Sequence, residues 1–182
     1  MQPLKRLRQL LETLSSPEHY LFSSADFQVP FADLSPAALK MLLGRAVRDG
    51  LLVSVCRGLY LYDKVDWPRG MVLYHAAAKL RAHTFNYISL ESALSDAGVI
   101  SQVPLQWLTL ISGGRSSIIR CSQWGSIEFI HTKKTAGQVT AELVYDHSCH
   151  LWRASVRQAI RDIKAGRRPL DLIDWSVVDE LV

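Results

Sequence analysis

Residues 35–62 read SPAALKMLLGRAVRDGLLVSVCRGLYLY, and the order of signals within them decides the fold of the N-terminal third. Ser35 suits a helix N-cap, because its hydroxyl accepts from a backbone N–H that the helix leaves unpaired. Pro36 then falls at the first helical position, where a missing N–H costs nothing. Leu39, Leu42, Leu43, Ala46 and Val47 recur at helical spacing and make one buried stripe. Gly50 suits a left-handed C-terminal cap, which predicts that the helix stops near Arg48 or Asp49. The opposite face carries Lys40, Met41, Gly44, Arg45 and Arg48. Cations at that spacing are what a helix needs to touch phosphates and a groove. Two short apolar strands follow, LLVSV and LYLY, joined through Cys56-Arg57-Gly58. Gly58 supplies the positive φ or bulge that a side chain opposes, and Arg57 sits at the tip, within reach of a phosphate or the minor groove.

Upstream, Leu4, Leu7, Leu10, Leu11 and Leu14 space a first helix, and a second short one fits Ser23 to Gln28 with Ser23 or Ser24 as its cap. Three helices and then a two-stranded wing predict a winged helix-turn-helix over residues 1–62. The bland alternative is a helix-hairpin packed for structural or protein-binding purposes, since that fold also serves as an interaction module.

Residues 63–70, DKVDWPRG, interrupt two structured runs with polar residues, a proline and a glycine, and mark a linker. Beyond it, residues 71–182 predict a second domain. Met71 to Arg81 is amphipathic, with Val72, Ala76, Lys79 and Leu80 marking its turns, and a further helix runs from a capping Ser89 to Gly98. The period then changes to that of strands. Trp107 to Ile111, Ser117 to Cys121 and Ser126 to His131 are short and apolar, separated by turns at Gly113-Gly114 and Gln123-Trp124-Gly125, and predict an antiparallel meander. A fourth strand fits Ala141 to Tyr145, and the chain closes with helices over Leu151 to Ala165 and Leu170 to Leu181, broken at Gly166-Arg167-Arg168-Pro169. Trp107, Trp124, Trp152 and Trp175 have apolar neighbours and are expected in the core of this domain. The fold class expected is α+β: an N-terminal winged helix-turn-helix, then an α+β domain with a small antiparallel sheet and terminal helices.

The formal charge of +4 is mild, but its distribution is uneven. Arg153, Arg157, Arg161, Lys164 and Arg168 follow one another at three- and four-residue steps, which on a helix makes one basic stripe. Like charges so spaced repel by a few tenths of a kcal/mol, a cost that an anionic partner removes. The stripe is a candidate second basic surface, weighed against an ordinary solvated helix face. Three widely spaced cysteines, Cys56, Cys121 and Cys149, do not suggest a disulfide framework. No apolar run approaches membrane-spanning length and no signal peptide opens the chain, so a cytoplasmic protein without membrane contact is expected.

Motifs for catalysis are weak. Glu128 and Lys133 have the residue types of a metal-dependent nuclease element, but the spacing is too long and no partner aspartate precedes them. His147-Ser148-Cys149-His150 offers ligand types without the four matched ligands of a zinc site. Gly113-Gly114-Arg115-Ser116 reads better as a turn than as a phosphate nest. His75, His83 and His131 have no evident partner. No catalytic residue, cofactor or metal is therefore assigned.

The sequence LLVSVCRGLYLY, followed by YISLESALSDAGVI and then by the strands WLTLIS and GSIEFIHTK, resembles the AbiEi family of antitoxins from type IV toxin-antitoxin and abortive-infection systems of bacteria. The resemblance extends from about Leu4 to Ile163. It implies that the N-terminal winged helix binds inverted repeats in its own promoter and represses the operon. It further implies that the second domain counters a cognate nucleotidyltransferase-like toxin, giving the chain a role in phage defence. Carried onto this sequence, the DNA contacts are Ser35, Lys40, Arg45, Arg48 and Arg57. The alternative is a stand-alone winged-helix transcriptional regulator whose second domain senses a ligand or partner. A protein-interaction module with a vestigial winged helix comes third.

Overall fold

The computed structural model describes residues 2–101 and 106–182 and has a mixed helix-and-sheet architecture. The chain divides into two compact units, Met1–Val72 and Leu73–Val182.

In the first unit, helix α1 (Pro3–Leu14) buries Leu7 and Leu11. A three-residue strand, β1 (Leu21–Ser23), leads into a single 3-10 turn at Ser24–Phe27, where the Ser23 N–H donates to Asp26 at 2.8 Å. Helix α2 (Pro36–Arg48) then runs with Ser35 as its cap, the Ser35 hydroxyl accepting from the Ala38 N–H at 3.2 Å. Strands β2 (Val53–Cys56) and β3 (Leu59–Leu61) complete a three-stranded antiparallel sheet in the order β1-β3-β2. Gly50 and Gly58 both have positive φ, at 70° and 77°, and end the helix and turn the hairpin respectively.

Phe22, Phe27 and Phe31 pack with Leu39, Leu42, Leu43 and Ala46 in one apolar cluster. At about 1.5–3 kcal/mol for each large side chain removed from water, this cluster outweighs any surface ion pair in the unit. One such pair fixes α1 to the loop before α2. The Arg6 guanidinium donates to both Asp33 carboxylate oxygens at 3.0 and 2.8 Å and to the Pro30 carbonyl, and lies over the Phe31 ring.

The second unit is built on a six-stranded sheet in the order β6-β7-β5-β4-β9-β8. Its elements in chain order are α3 (Val72–Leu80, which starts at the end of the first unit), β4 (Asn86–Ile88), α4 (Leu90–Asp96), β5 (Trp107–Ser112), β6 (Ser117–Arg120) and β7 (Ser126–His131). There follow a one-turn helix α5 (Ala136–Val139), β8 (Leu143–Asp146), β9 (Leu151–Ala154), α6 (Val156–Ala165) and α7 (Trp175–Leu181).

The sheet is mixed, which corrects the expected antiparallel meander. β7 lies between β5 and β6, parallel to β5 and antiparallel to β6. Burial explains why. β5 is buried from Leu108 through Ser112 and so needs a neighbour on each side, whereas β6 alternates half-buried and exposed residues, the pattern of an edge. The parallel pairing of β4 with β9 is the second departure.

The expected helix from Leu151 is also corrected: residues Leu151–Ala154 pair with β4 and β8, and α6 begins only at Val156, where the Ser155 hydroxyl accepts from the Gln158 N–H. Ser89 precedes α4 without capping it through its side chain. The tryptophans are not core residues. Trp107, Trp124 and Trp152 are half-buried and Trp175 is 44% exposed, while Tyr87 and Phe129 are the large rings buried in this unit.

The strand register places Tyr87, Thr109 and Glu128 on one face, and α4 and the α6 segment bond to that face. Tyr87 and Ser89 donate to Asp162, Thr109 donates to the Ser89 carbonyl, and Arg168 donates to Glu128. On the other face Arg81, just past α3, lies 3.9 Å from the Phe129 ring centroid and donates to Ser112 and Ser117.

Candidate nucleic-acid interface

Helix α2 separates its residues cleanly by face. Leu39, Leu42, Leu43 and Ala46 are buried, whereas Lys40, Met41, Gly44, Arg45 and Arg48 are all exposed. This follows from the 3.6-residue period, since the apolar stripe must face the phenylalanine cluster and the remaining positions are left outside. Ser35 is exposed, and its hydroxyl is already engaged as the helix cap.

Arg57 occupies the tip of the β2–β3 turn and is exposed. A groove of about 620 Å³ lies between that tip and the N-terminal half of α2. Lys40 and Arg57 line it together, with Ser24 and Gln28 as polar neighbours and Phe31, Leu39 and Leu43 as apolar wall. Among the described residues, Lys40, Arg45, Arg48 and Arg57 make no ion pair. The four cations, without ion-pair partners among the described residues, place positive charge along one helix face and at one hairpin tip, and such charge attracts an anion.

The second basic set is arranged differently. Arg153 lies on β9, outside α6, with its guanidinium bonded to Asp96 and, at 3.0 Å, to Asp146. Arg168 lies past the end of α6 and bridges Glu91 at 2.5 Å and Glu128 at 3.1 Å. Only Arg157, Arg161 and Lys164 share the α6 surface. Arg157 donates to the Val182 carbonyl, Arg161 pairs with Glu142 at 3.4 Å, and Lys164 sits 5.7 Å from the Trp175 ring centroid. The five-residue stripe expected from spacing is thus not a single helix face.

The motifs weighed for catalysis are occupied by structural bonds. Burial pushes the Glu128 carboxyl up, but hydrogen bonds from Arg168 and Trp107 outweigh it and hold the group below its ordinary range. Lys133 is exposed beyond the end of β7. In the β8–β9 turn the Cys149 thiol donates to Asp146 at 3.3 Å, and burial first, then that carboxylate, push it up to about 11. His150 faces His75 at 5.3 Å between ring centroids, and among the described residues no three metal-ligating side chains converge. The Gly113-Gly114 turn is filled by Arg81, and its N–H groups donate to Phe85 and Ser112.

One cluster was missed from sequence. Asp162 is buried on α6 and accepts from Tyr87 at 3.0 Å, Ser89 at 2.7 Å and Gln158 at 2.8 Å. The available signal was Gln158 and Asp162 four residues apart, bracketing the apolar Ala159 and Ile160. Through these bonds the cluster ties α6 to β4 and to the serine that follows it.

No protein-family model matches this chain, and no curated protein matches it significantly. No helix among the described residues is long and apolar enough to cross a membrane.

Proposed function

We propose that this protein is a double-stranded DNA-binding repressor of the AbiEi antitoxin type. In this reading the first unit is a winged helix-turn-helix, with α2 as the recognition helix and the β2–β3 hairpin as the wing. Lys40, Arg45 and Arg48 meet phosphates and base edges in the major groove, and Arg57 meets the flanking backbone. Ser35 orders the start of the helix and presents its hydroxyl beside the phosphates.

The observation that supports the reading best is the pairing of a fully apolar inner face on α2 with an outer face and hairpin tip whose four cations have no acidic partner among the described residues. Solvated structural helices more often interleave acids with bases. The element order and the sheet order β1-β3-β2 also fit the fold.

The antitoxin half rests on the sequence resemblance. It assigns to the second unit the countering of a nucleotidyltransferase-like toxin.

A reporter gene behind the chain's own upstream region tests the first half. Wild-type protein should repress it, and Arg45→Ala should relieve repression. Co-expression with a nucleotidyltransferase-like toxin, should such a gene lie beside it, supports the second half if growth is restored. Repression without rescue favours the stand-alone regulator.

A further inference from the structure

Two residues on the outer face of α2 stand out because both face away from the buried stripe. Met41 is 72% exposed, although it is a large apolar side chain on a helix with a complete buried stripe of its own. Gly44, one turn on, sits in the helix interior, where glycine is unfavourable relative to alanine. Packing does not require it, because a Cβ at that position would meet nothing within 4 Å. Residues three apart are surface neighbours, so the flexible thioether and the bare backbone adjoin each other. Lys40, Arg45 and Arg48 surround them.

We infer that Met41 and Gly44 form one base-reading element, in which the Met41 side chain covers the C5-methyl group of a thymine while Gly44 lets the edge of that base pair approach the helix backbone. The inference rests on the DNA-binding reading. It follows from three facts of chemistry. The thymine methyl is the one methyl group of the major groove, an unbranched thioether adapts to it, and cations on either side fix the helix against the phosphates. The element also selects DNA over duplex RNA, which lacks the methyl and whose major groove is too narrow for side chains to read.

The test begins with a duplex enriched from a randomised pool by the full-length protein, in which each thymine is then replaced singly by deoxyuridine. At one position in each half-site, loss of the methyl should weaken wild-type binding about four-fold, the factor for one buried methyl group. The Met41→Ala protein should bind the thymine and deoxyuridine duplexes equally. Gly44→Gln should weaken binding at least ten-fold without lowering the thermal midpoint. Indifference to deoxyuridine at every position, or full sensitivity retained by Met41→Ala, overturns the thymine contact while leaving DNA binding intact. Wild-type affinity in Gly44→Gln overturns the close approach. A pool that yields no preferred duplex removes the DNA reading itself, and this element with it.

Discussion

Arg168 grips Glu128 through two parallel hydrogen bonds of 3.1 and 3.2 Å while its Nε donates to Glu91, so that one guanidinium joins the segment after α6 to both α4 and β7. Bidentate pairing of this kind fixes orientation as well as adding energy. The group is about a quarter exposed, which tempers its strength through solvent screening. Arg168→Ala should therefore destabilise the second unit by about 1–2 kcal/mol and leave DNA affinity unchanged. Chemical denaturation alongside a binding titration checks both halves. A loss of affinity in a stably folded variant would return Arg168 to an interface.

Asp146 sets a pH dependence. Hydrogen bonds from Ser148, then from Arg153 and Cys149, hold its carboxyl well below the usual range against a smaller opposing effect of burial. A folded value below the unfolded one, about 3.9, means that the contribution is complete above that pH and fades as pH falls toward the folded value. The denaturation midpoint of Asp146→Asn should thus lie below wild type at pH 7, and the gap should close below about pH 4. A gap of constant size from pH 7 to pH 2 would show that the charge is not responsible.

Gly58 holds the β2–β3 turn at φ 77°, and a Cβ there would meet the Ser24 hydroxyl at 3.3 Å. Gly58→Ala should cost about 1–2 kcal/mol of stability in the first unit, the usual penalty for a side chain in the left-handed region. Denaturation followed by circular dichroism measures this. An unchanged midpoint would mean that the turn relaxes.

Arg45→Ala should weaken binding to the preferred duplex by about 1–3 kcal/mol if the guanidinium reads a base edge, and should relax selectivity at that position. Arg157→Glu with Arg161→Glu should leave DNA binding close to wild type, because that surface is limited to α6 and its arginines already have partners in Val182 and Glu142. A duplex titration of both variants separates the two basic sets.

How much of this was legible in the sequence depended on whether the deciding contacts were local. Ser35, Pro36 and Gly50 punctuate α2 within one stretch, and its period alone put Lys40, Arg45 and Arg48 outside. β1 was not legible, because three residues are too few to show a period, and its pairing partner Leu59–Leu61 lies far along the chain. The order of β5, β6 and β7 escaped because Gly113-Gly114 looks the same whether the next strand pairs at once or skips a place. Only the unbroken burial of β5 distinguishes the two. Spacing alone puts Arg153 and Arg168 in one helix stripe, because Asp96, Glu91 and Glu128 are 57, 77 and 40 residues away and Asp146 reaches Arg153 only through the β8–β9 turn. Helical spacing cannot report a partner that only tertiary folding brings near.

The central proposal, that the cations of α2 and the β2–β3 turn form a DNA interface, is tested most directly by a mobility-shift titration over a range of salt concentrations. The chain's own upstream DNA is compared with a scrambled duplex of equal length, using wild type and Arg48→Ala. Wild type should prefer the upstream duplex, with log affinity falling by about 0.9 per decade of salt for each phosphate neutralised, and Arg48→Ala should flatten that slope by about one contact. Equal affinity for the two duplexes, or a slope that survives neutralising Lys40, Arg45, Arg48 and Arg57 together, would contradict it.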